Sequence, residues 1–509
     1  MVQEGIYDFF TMTTCAHTDT CYAINPLTPY GLMYLPPHPN ESASAKPYTN
    51  RCHVHGLCKT VGNSTYSPSW RMELGETIVL VGRTPPRATY WSFSNYLYTR
   101  FMQPGFKPQP KDFSHRTVEC PSVPKESPGE RCEVFAGIND PLNMETVNAS
   151  SPFNSTFALV LSWDAVAEAA TLLHLKKHGY RGTTVNRLQF PGSILRLGVH
   201  RGDEDEFLNV LRVEGIEDNL AREEFYTRAP FRVFRISPTP RVPAPQPSAA
   251  WPSFDGSMRT RWTGHSESAP GVSTADLEDG LRQLERLVLE KNSHSRFDHS
   301  SIEFSSFVND SGYECLTEGT RCQGDCRDTI YAKATFIIRE TLCNKTHLPC
   351  KPSSRSELTE NSRDMLYVVG VNHERTKQAR YSSLTLYDYP RLAAGLLIPK
   401  GQSRGQYTLM DEDYGESAIR YLPSHRASRY LYVVKFARRC PPDDSDVCVE
   451  VPLTSSNPDD ITMRLDSQLV LIERMYIHPG TKSGPAVSET LLPKLLHFKP
   501  RFDGQEVFV

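Results

Sequence analysis

Ten of the thirteen cysteines in this 509-residue chain fall into five close couples: Cys15/Cys21, Cys52/Cys58, Cys120/Cys132, Cys343/Cys350 and Cys440/Cys448. Short polar spacers, such as the Pro-Pro-Asp-Asp-Ser-Asp-Val between Cys440 and Cys448, let the ends of a loop reach disulfide distance. No Cys-x2-Cys knuckle occurs, so a zinc-finger framework has no sequence support. The expectation is a disulfide within each couple, which requires an oxidising compartment. Cys315, Cys322 and Cys326 form a trio, and an odd total leaves one cysteine free or joined to another chain.

Glycosylation sequons point the same way. Asn-x-Ser/Thr occurs at Asn40, Asn63, Asn148, Asn154, Asn309 and Asn344, mostly in polar, turn-like segments where a glycan has room. The opening MVQEGIYDFFTMTT lacks the basic start and apolar core of a signal peptide. No apolar run approaches the ~18 residues of a membrane span. The reading is a secreted or lumenal glycoprotein whose signal peptide is not in this chain, with no membrane span. A net charge of -3 removes any global argument for nucleic acid as a partner.

At about 150 residues per domain, the length calls for more than one core. The 39 prolines favour strands cut by turns over long helices. Residues 237–256, SPTPRVPAPQPSAAWPSFDG, read as an extended Pro-rich linker between an N-terminal lobe, 1–236, and a C-terminal lobe, 257–509. Each lobe holds a similar hairpin: ETIVLVGRTPPRATYWSFSNY at 76–96 and DMLYVVGVNHERTKQARYSSLTLY at 364–387. Gly82/Gly370, Ala88/Ala379, Tyr90/Tyr381, Ser92/Ser383 and Tyr96/Tyr387 match, and the second turn is three residues longer. The period-two pattern predicts strands, with tyrosines packing and serines facing out or pairing across strands.

Helices are few. Residues 164–178 open on Asp164 as N-cap, stop before Gly179, and lie between two strand-like runs. Residues 274–291 carry Leu277, Leu281, Leu284 and Val288 on one stripe, which reads as a core face. The expected fold class is α+β and β-rich: two disulfide-braced, β-sandwich-like lobes with a strand–helix–strand insertion and a few packing helices.

Arg327-Asp328-Thr329-Ile330-Tyr331 begins a strand, and Ala379-Arg380-Tyr381-Ser382-Ser383-Leu384 through Tyr387-Asp388 follows some fifty residues on. This region, within 325–440, resembles a group of bacterial exported β-rich proteins of unknown function with an RDTLY-type strand. The resemblance implies an exported β-sandwich-like fold and supplies no activity.

The chain has no His-Glu-x-x-His helix, P-loop or Gly-x-Gly-x-x-Gly. Gly401-Gln402-Ser403-Arg404-Gly405 spells a nucleophile elbow, but Pro399 precedes it and no helical pattern follows, so it reads as a turn. In Cys52-His53-Val54-His55-Gly56-Leu57-Cys58, His53 and His55 point the same way on a strand. They are either two ligands of one metal, with His200, His373 or His478 as a third, or exposed groups on a disulfide loop. The acidic runs Asp203–Glu206 and Asp411–Asp413 read as solvated loops or helix starts.

The enlarged turn of the second hairpin gathers Asn372, His373, Glu374 and Arg375. Insertions on a rigid hairpin tend to carry function. A neutral His373 beside Glu374 suits acid–base catalysis, and Arg375 with Asn372 suits ligand binding. Loss of His373 is then expected to impair function and to spare stability. The first reading of function is a protein that binds a glycan, small ligand or extracellular protein partner. The alternative is an extracellular enzyme with a lobe-interface site using histidine or metal chemistry. The sequence names no cofactor.

Overall fold

Aromatic and β-branched residues recur with period two along most of this chain, and prolines and glycines punctuate them. The strands that result appear in a computed structural model, which describes residues 1–10, 29–41, 58–107, 122–190, 195–200, 202–237, 258–292, 297–306, 322, 324–336, 365–388, 393–394, 408–437, 440, 446–451 and 469–500. They form two compact units. The first takes the described residues up to 260 together with those from 322 to 329; the second takes 261 to 306 and those from 330 onward. Segment 322–329 thus belongs with the first unit, although it follows the Pro-rich stretch in sequence. Residues 238–257 lie outside the described residues.

In the first unit the strands run β1 (Val2–Glu4), β2 (Ile6–Phe10), β3 (Tyr30–Tyr34), β4 (Lys59–Val61), β5 (Ser64–Tyr66), β6 (Thr77–Arg83) and β7 (Tyr90–Met102). They continue as β8 (Glu130–Gly137), β9 (Leu142–Asn143), β10 (Thr156–Ser162), β11 (Val185–Gln189), β12 (Glu206–Glu214) and β13 (Phe231–Ile236). The second unit begins with β14 (Phe297–Glu303), β15 (Ser305–Ser306), β16 (Thr329–Phe336), β17 (Met365–Val371), β18 (Tyr381–Asp388) and β19 (Ala393–Ala394). It ends with β20 (Thr408–Leu409), β21 (Leu431–Ala437), β22 (Val447–Glu450), β23 (Leu469–Tyr476) and β24 (Lys494–Pro500).

Both units have the same plan. One sheet is ordered β1-β13-β6-β10-β11 in the first unit and β14-β24-β17-β21-β22 in the second. The other is β2-β3-β12-β7-β8, with β9 on β7, against β15-β16-β23-β18-β19, with β20 on β18. A parallel edge recurs too, as β10–β11 and β21–β22. Matching positions follow from the registers: Ser92 opposes Arg212 as Ser383 opposes Arg474, and Gly82 opposes Phe157 as Gly370 opposes Tyr432. The glycines are there for close approach. A Cβ on Gly370 would stand 2.5 Å from the Tyr432 ring, and one on Gly82 would stand 2.1 Å from the Pro230 carbonyl.

The sandwich cores form where odd-numbered residues of β7 (Trp91, Phe93, Leu97) meet Ile78, Leu80 and Phe157 in the first unit, with Leu384, Leu386 and Leu471 meeting Val368 and Val434 in the second. The outward face of β7 is buried as well, so of the two expectations for its serines, facing out or pairing across strands, the first does not hold. Segment 324–328 lies on it: Ser94 Oγ is 3.1 Å from Cys326 Sγ, and Tyr90 donates to Asp328 at 2.8 Å. On this face the Arg212 guanidinium stacks between Tyr30 and Tyr96, at 5.2 and 5.5 Å from the ring centroids. The second unit repeats the stack, with Arg474 at 5.7 Å from Tyr331 and 5.1 Å from Tyr387. A flat cation between rings keeps its attraction where water is excluded. The second repeat of the hairpin motif therefore preserves a packing device, in which Tyr387 takes the place of Tyr96.

The helices sit in the connections. Helix α1 (Ala165–Lys177) starts where Asp164 accepts from the Ala167 N–H and completes a parallel strand–helix–strand unit. Helix α2 (Asn219–Arg228) is capped by Asp218. Helix α3 (Thr274–Asn292) buries Leu277, Leu284 and Val288 with Tyr367, Val369 and Val371 of β17. Two single turns follow, α4 (His373–Thr376) and α5 (Asp411–Tyr414).

In the second unit a Cys440–Cys448 disulfide closes the β21–β22 connection. Breaking this short loop's bridge in a Cys440→Ser/Cys448→Ser variant should lower stability by about 2–3 kcal/mol on the chain-entropy account. Urea unfolding at equal m-value checks this, and an unchanged midpoint would show that the bridge constrains nothing in the unfolded chain. Cys58, Cys132 and Cys322 are also disulfide-bonded. Cys326 is a buried thiol, not part of a disulfide; Cys15, Cys21, Cys52, Cys120, Cys315, Cys343 and Cys350 lie outside the described residues.

Candidate functional site

The two units differ most where their cores should be alike. Along β23, Leu471, Glu473 and Met475 share the core-facing side, since Glu473 opposes Leu384. The corresponding position of the first unit, opposite Phe93, is Leu211. A carboxylate thus stands in the second sandwich core where the first has an apolar side chain, and it has no exposure. Its partners differ in step. Tyr432, which matches Phe157, donates to Glu473 at 2.9 Å, and the Tyr414 ring stacks on Tyr432 at 4.1 Å.

His373 completes the chain. It is fully buried on α4, with Nδ1 at 2.8 Å from Glu267 and Nε2 at 3.4 Å from Glu473. Burial alone would lower its pKa, but the Glu267 and Glu473 carboxylates outweigh that and hold it up at about 10. It is an imidazolium at neutral pH. Glu267 also accepts from Thr376 Oγ1 at 2.6 Å and from the Leu491 N–H at 3.0 Å. The expectation of a neutral His373 acting as a base beside Glu374 is therefore corrected. The three added residues let the turn coil into α4, and that coil drives His373 inward between two acids.

The other residues of the turn have partners of their own. The Asn372 side chain caps α4 by accepting from the Arg375 N–H. Arg375 Nε donates to Asp411 at 2.9 Å and Nη1 to the Arg429 carbonyl at 3.0 Å. Glu374 is partly buried, and its Oε1 accepts from the Ser382 N–H at 2.8 Å. Burial pushes its carboxyl up to about 7, with Asp411 adding to the rise and the Ser382 bond and His373 opposing it. So α4 pairs a histidine fixed in its charged form with a carboxyl that titrates near neutrality.

The acidic run Asp203–Glu206 is a second correction. Glu204, Asp205 and Glu206 are buried in a charge network at one end of the first unit, because cations and backbone donors meet them there. Arg100 grips Asp205 through Nε and Nη2 at 2.9 and 2.6 Å. Glu204 accepts from the His200 and Gly202 N–H groups at 2.9 and 2.6 Å. Glu206 accepts from Thr99 at 2.8 Å and faces Arg71 at 3.5 Å. In the same network Arg235 meets the fully buried Glu76 at 3.0 Å. His38 accepts the Asn40 N–H at Nδ1, so its proton sits on Nε2, 3.0 Å from Glu73. Burial, with Arg235 adding, lowers its pKa to about 3 and keeps it neutral. Asp411 and Asp413, by contrast, lie half-exposed at a helix start, as the sequence suggested.

His53 and His55 lie outside the described residues, and among the described residues no group of three or more His, Cys, Asp or Glu is placed to hold a metal. The third-ligand candidates are dispersed among other duties: His200 faces Glu73 at 3.3 Å, His373 is in the buried chain, and His478 Nδ1 accepts from the Gly480 N–H. Sequence reasoning missed Glu473 and Glu267. The signal for Glu473 was present, a charge at a core-facing place between Leu471 and Met475; Glu267 lies in a loop that carries no periodicity.

No protein-family profile matches the chain, and neither does any curated protein. Among solved structures it is weakly similar to an uncharacterised protein of Burkholderia cenocepacia, at 11% identity over 97% of this chain and 81% of that one, with a TM-score of 0.34. A protein of Vibrio parahaemolyticus matches at 11% identity over 96% of this chain and 99% of that one, with a TM-score of 0.35. These weak neighbours are bacterial, and similarity at this level assigns no activity.

Proposed function

We propose that this chain is a secreted or lumenal, disulfide-bonded glycoprotein that acts by binding a ligand. The observation that supports the binding part is the state of two reactive side chains among the described residues. His373 has both ring nitrogens facing carboxylates and is held as the cation, so it has no lone pair to offer as a base. Burial and the adjacent Asp328 push the Cys326 thiol up to about 12, far from a nucleophilic thiolate.

The compartment is supported by the bonded cysteines and by the sequons. Asn40, Asn63, Asn148 and Asn154 are all exposed, and Asn63 sits in the turn between β4 and β5. Asn309 and Asn344 lie outside the described residues. No helix among the described residues is long and apolar enough to cross a membrane, which says nothing of a β-barrel. If the reading holds, the full chain expressed behind a eukaryotic signal peptide loses mass on treatment with a peptide N-glycosidase, and Asn63→Gln removes one glycan. Secreted protein with no glycan at any of the four exposed sites would sink it.

One observation favours a second reading, an extracellular enzyme: a carboxyl titrating near neutrality is suited to moving a proton in either direction. Glu374 is that carboxyl. Turnover of a hydrolase substrate panel that vanishes in Glu374→Gln, with folding intact, would favour the enzyme; ligand capture that persists in the variant favours binding.

A further inference from the structure

Two helices lie over matching strands of the two units, and their outer faces differ. Helix α1 packs on β6 and β10, and α3 on the matching β17 and β21. The outer face of α3 is the ordinary one: Glu278, Arg282, Arg286 and Glu290 are exposed and pair along the helix at 4.0 and 3.6 Å. Helix α1 is nearly the reverse. Its inner side sets Leu172 and Leu175 against Val160 and Val185, but it also carries Glu168 and Thr171, both buried. Buried polar groups need partners, so Thr171 Oγ1 meets Thr77 Oγ1 at 3.0 Å and Glu168 meets Arg187 at 3.3 Å. The side turned from the sheet holds Val166, Ala169, Ala170 and Leu173 at i, i+3, i+4 and i+7. Val166 is 70% exposed and Leu173 54%.

A single exposed leucine is ordinary; a stripe over two turns of a helix that buries its polar groups marks an interaction surface. The charge beside it says what kind of partner fits. From residue 165 to 189 every exposed Asp, Glu, Lys or Arg is a cation: Lys176, Lys177, Arg181 and Arg187. The whole chain carries -3, so this excess is local. Glu168 offsets Arg187, while Lys176, Lys177 and Arg181 have no acid paired with them among the described residues. A second copy laid antiparallel on this face would bring those lysines to a helix N-terminus, the positive end of its dipole, and a parallel one would set them against each other. Helices that lie in a membrane surface carry aromatic or leucine-rich apolar faces, whereas this stripe has two alanines at its middle and no aromatic. A partner helix bearing carboxylates suits both the stripe and the cations.

We propose that the outer face of α1 docks an acidic, amphipathic segment of a partner protein. The apolar side chains of that segment lie along Val166, Ala170 and Leu173, and its carboxylates reach Lys176, Lys177 and Arg181 at the C-terminal end of the helix. The proposal rests on the reading of this chain as a binding protein and gives that reading a surface and a class of partner. Because the cations are exposed, binding weakens as salt rises.

The probe is a fluorescein-labelled helical peptide of Leu, Ala and Glu, compared on the intact chain with its Lys-for-Glu counterpart. The acidic peptide should bind at least about tenfold more tightly than the basic one, and more weakly at high salt. Leu173→Asp and the double change Lys176→Glu/Lys177→Glu should each cost about tenfold or more in affinity. The altered side chains are exposed, so both variants should keep the wild-type melting temperature. Should Leu173→Asp not fold, the lysine variant decides. Equal binding of the two peptides, no binding of the acidic one, or binding that survives both variants overturns the proposal. So does capture of phosphatidylserine vesicles alone, or a wild-type dimer that Leu173→Asp separates. Ligand capture by the Glu374→Gln chain tests the binding reading by itself, so a failure confined to α1 leaves that reading standing.

Discussion

His373→Ala should destabilise the second unit by about 3–5 kcal/mol at neutral pH, the range for breaking a buried ion pair from one side. The substitution removes the cation and leaves Glu267 and Glu473, both fully buried, facing a void. Glu267 keeps Thr376 and the Leu491 N–H, and Glu473 keeps the Tyr432 hydroxyl, so their hydrogen bonds survive in part while the charge balance does not. The pH dependence is distinctive. The folded pKa of about 10 lies above the unfolded 6.5, so the stabilisation is complete below 6.5 and is lost as pH rises to 10. Urea unfolding at pH 7 and pH 10 should show a deficit of the variant that shrinks at the higher pH. Adding Glu473→Leu, the residue the first unit uses, should recover part of the loss. A deficit below about 0.5 kcal/mol at pH 7, typical of surface sites, would mean that the chain is not charged as described.

The largest effect in the first unit is expected from Arg235→Ala, again about 3–5 kcal/mol. Arg235 meets the buried Glu76 at 3.0 Å and also donates to the Pro36 and Arg71 carbonyls at 2.9 and 2.8 Å. It therefore neutralises one carboxylate and ties β13 to the segments after β3 and before β6. Burial already pushes Glu76 up, and Arg235 is the main force opposing that rise. Without it Glu76 should take up a proton at a higher pH. A double-mutant cycle with Glu76→Gln separates the two roles: coupling above about 1 kcal/mol assigns the loss to the ion pair, and additive losses assign it to the carbonyl contacts.

The β-rich architecture was legible because strand periodicity and turn residues are local properties. Asp164 as a cap, the Leu277/Leu284/Val288 stripe and the hairpin motif all act within a few residues of themselves. The charged sites were less legible because the meaning of a charge depends on what the fold brings to it. Asp203–Glu206 looks like a solvated run until Arg71, Arg100 and Arg131 arrive from three other places in the chain. His373 looks like a surface turn residue until α4 coils, and one of its two acids comes from a loop more than a hundred residues earlier. The burial of the hairpin serines was not legible because nothing in the first half of the chain announces that segment 324–328 returns to cover them.

The central claim, that the second sandwich is built around a charged histidine where the first is apolar, can be read from the imidazole itself. Nitrogen-15 NMR of the His373 ring at pH 8.5 in the intact chain should show both nitrogens protonated, with a titration midpoint near 10. A neutral ring at that pH, or a midpoint at or below the ordinary 6.5, would contradict it.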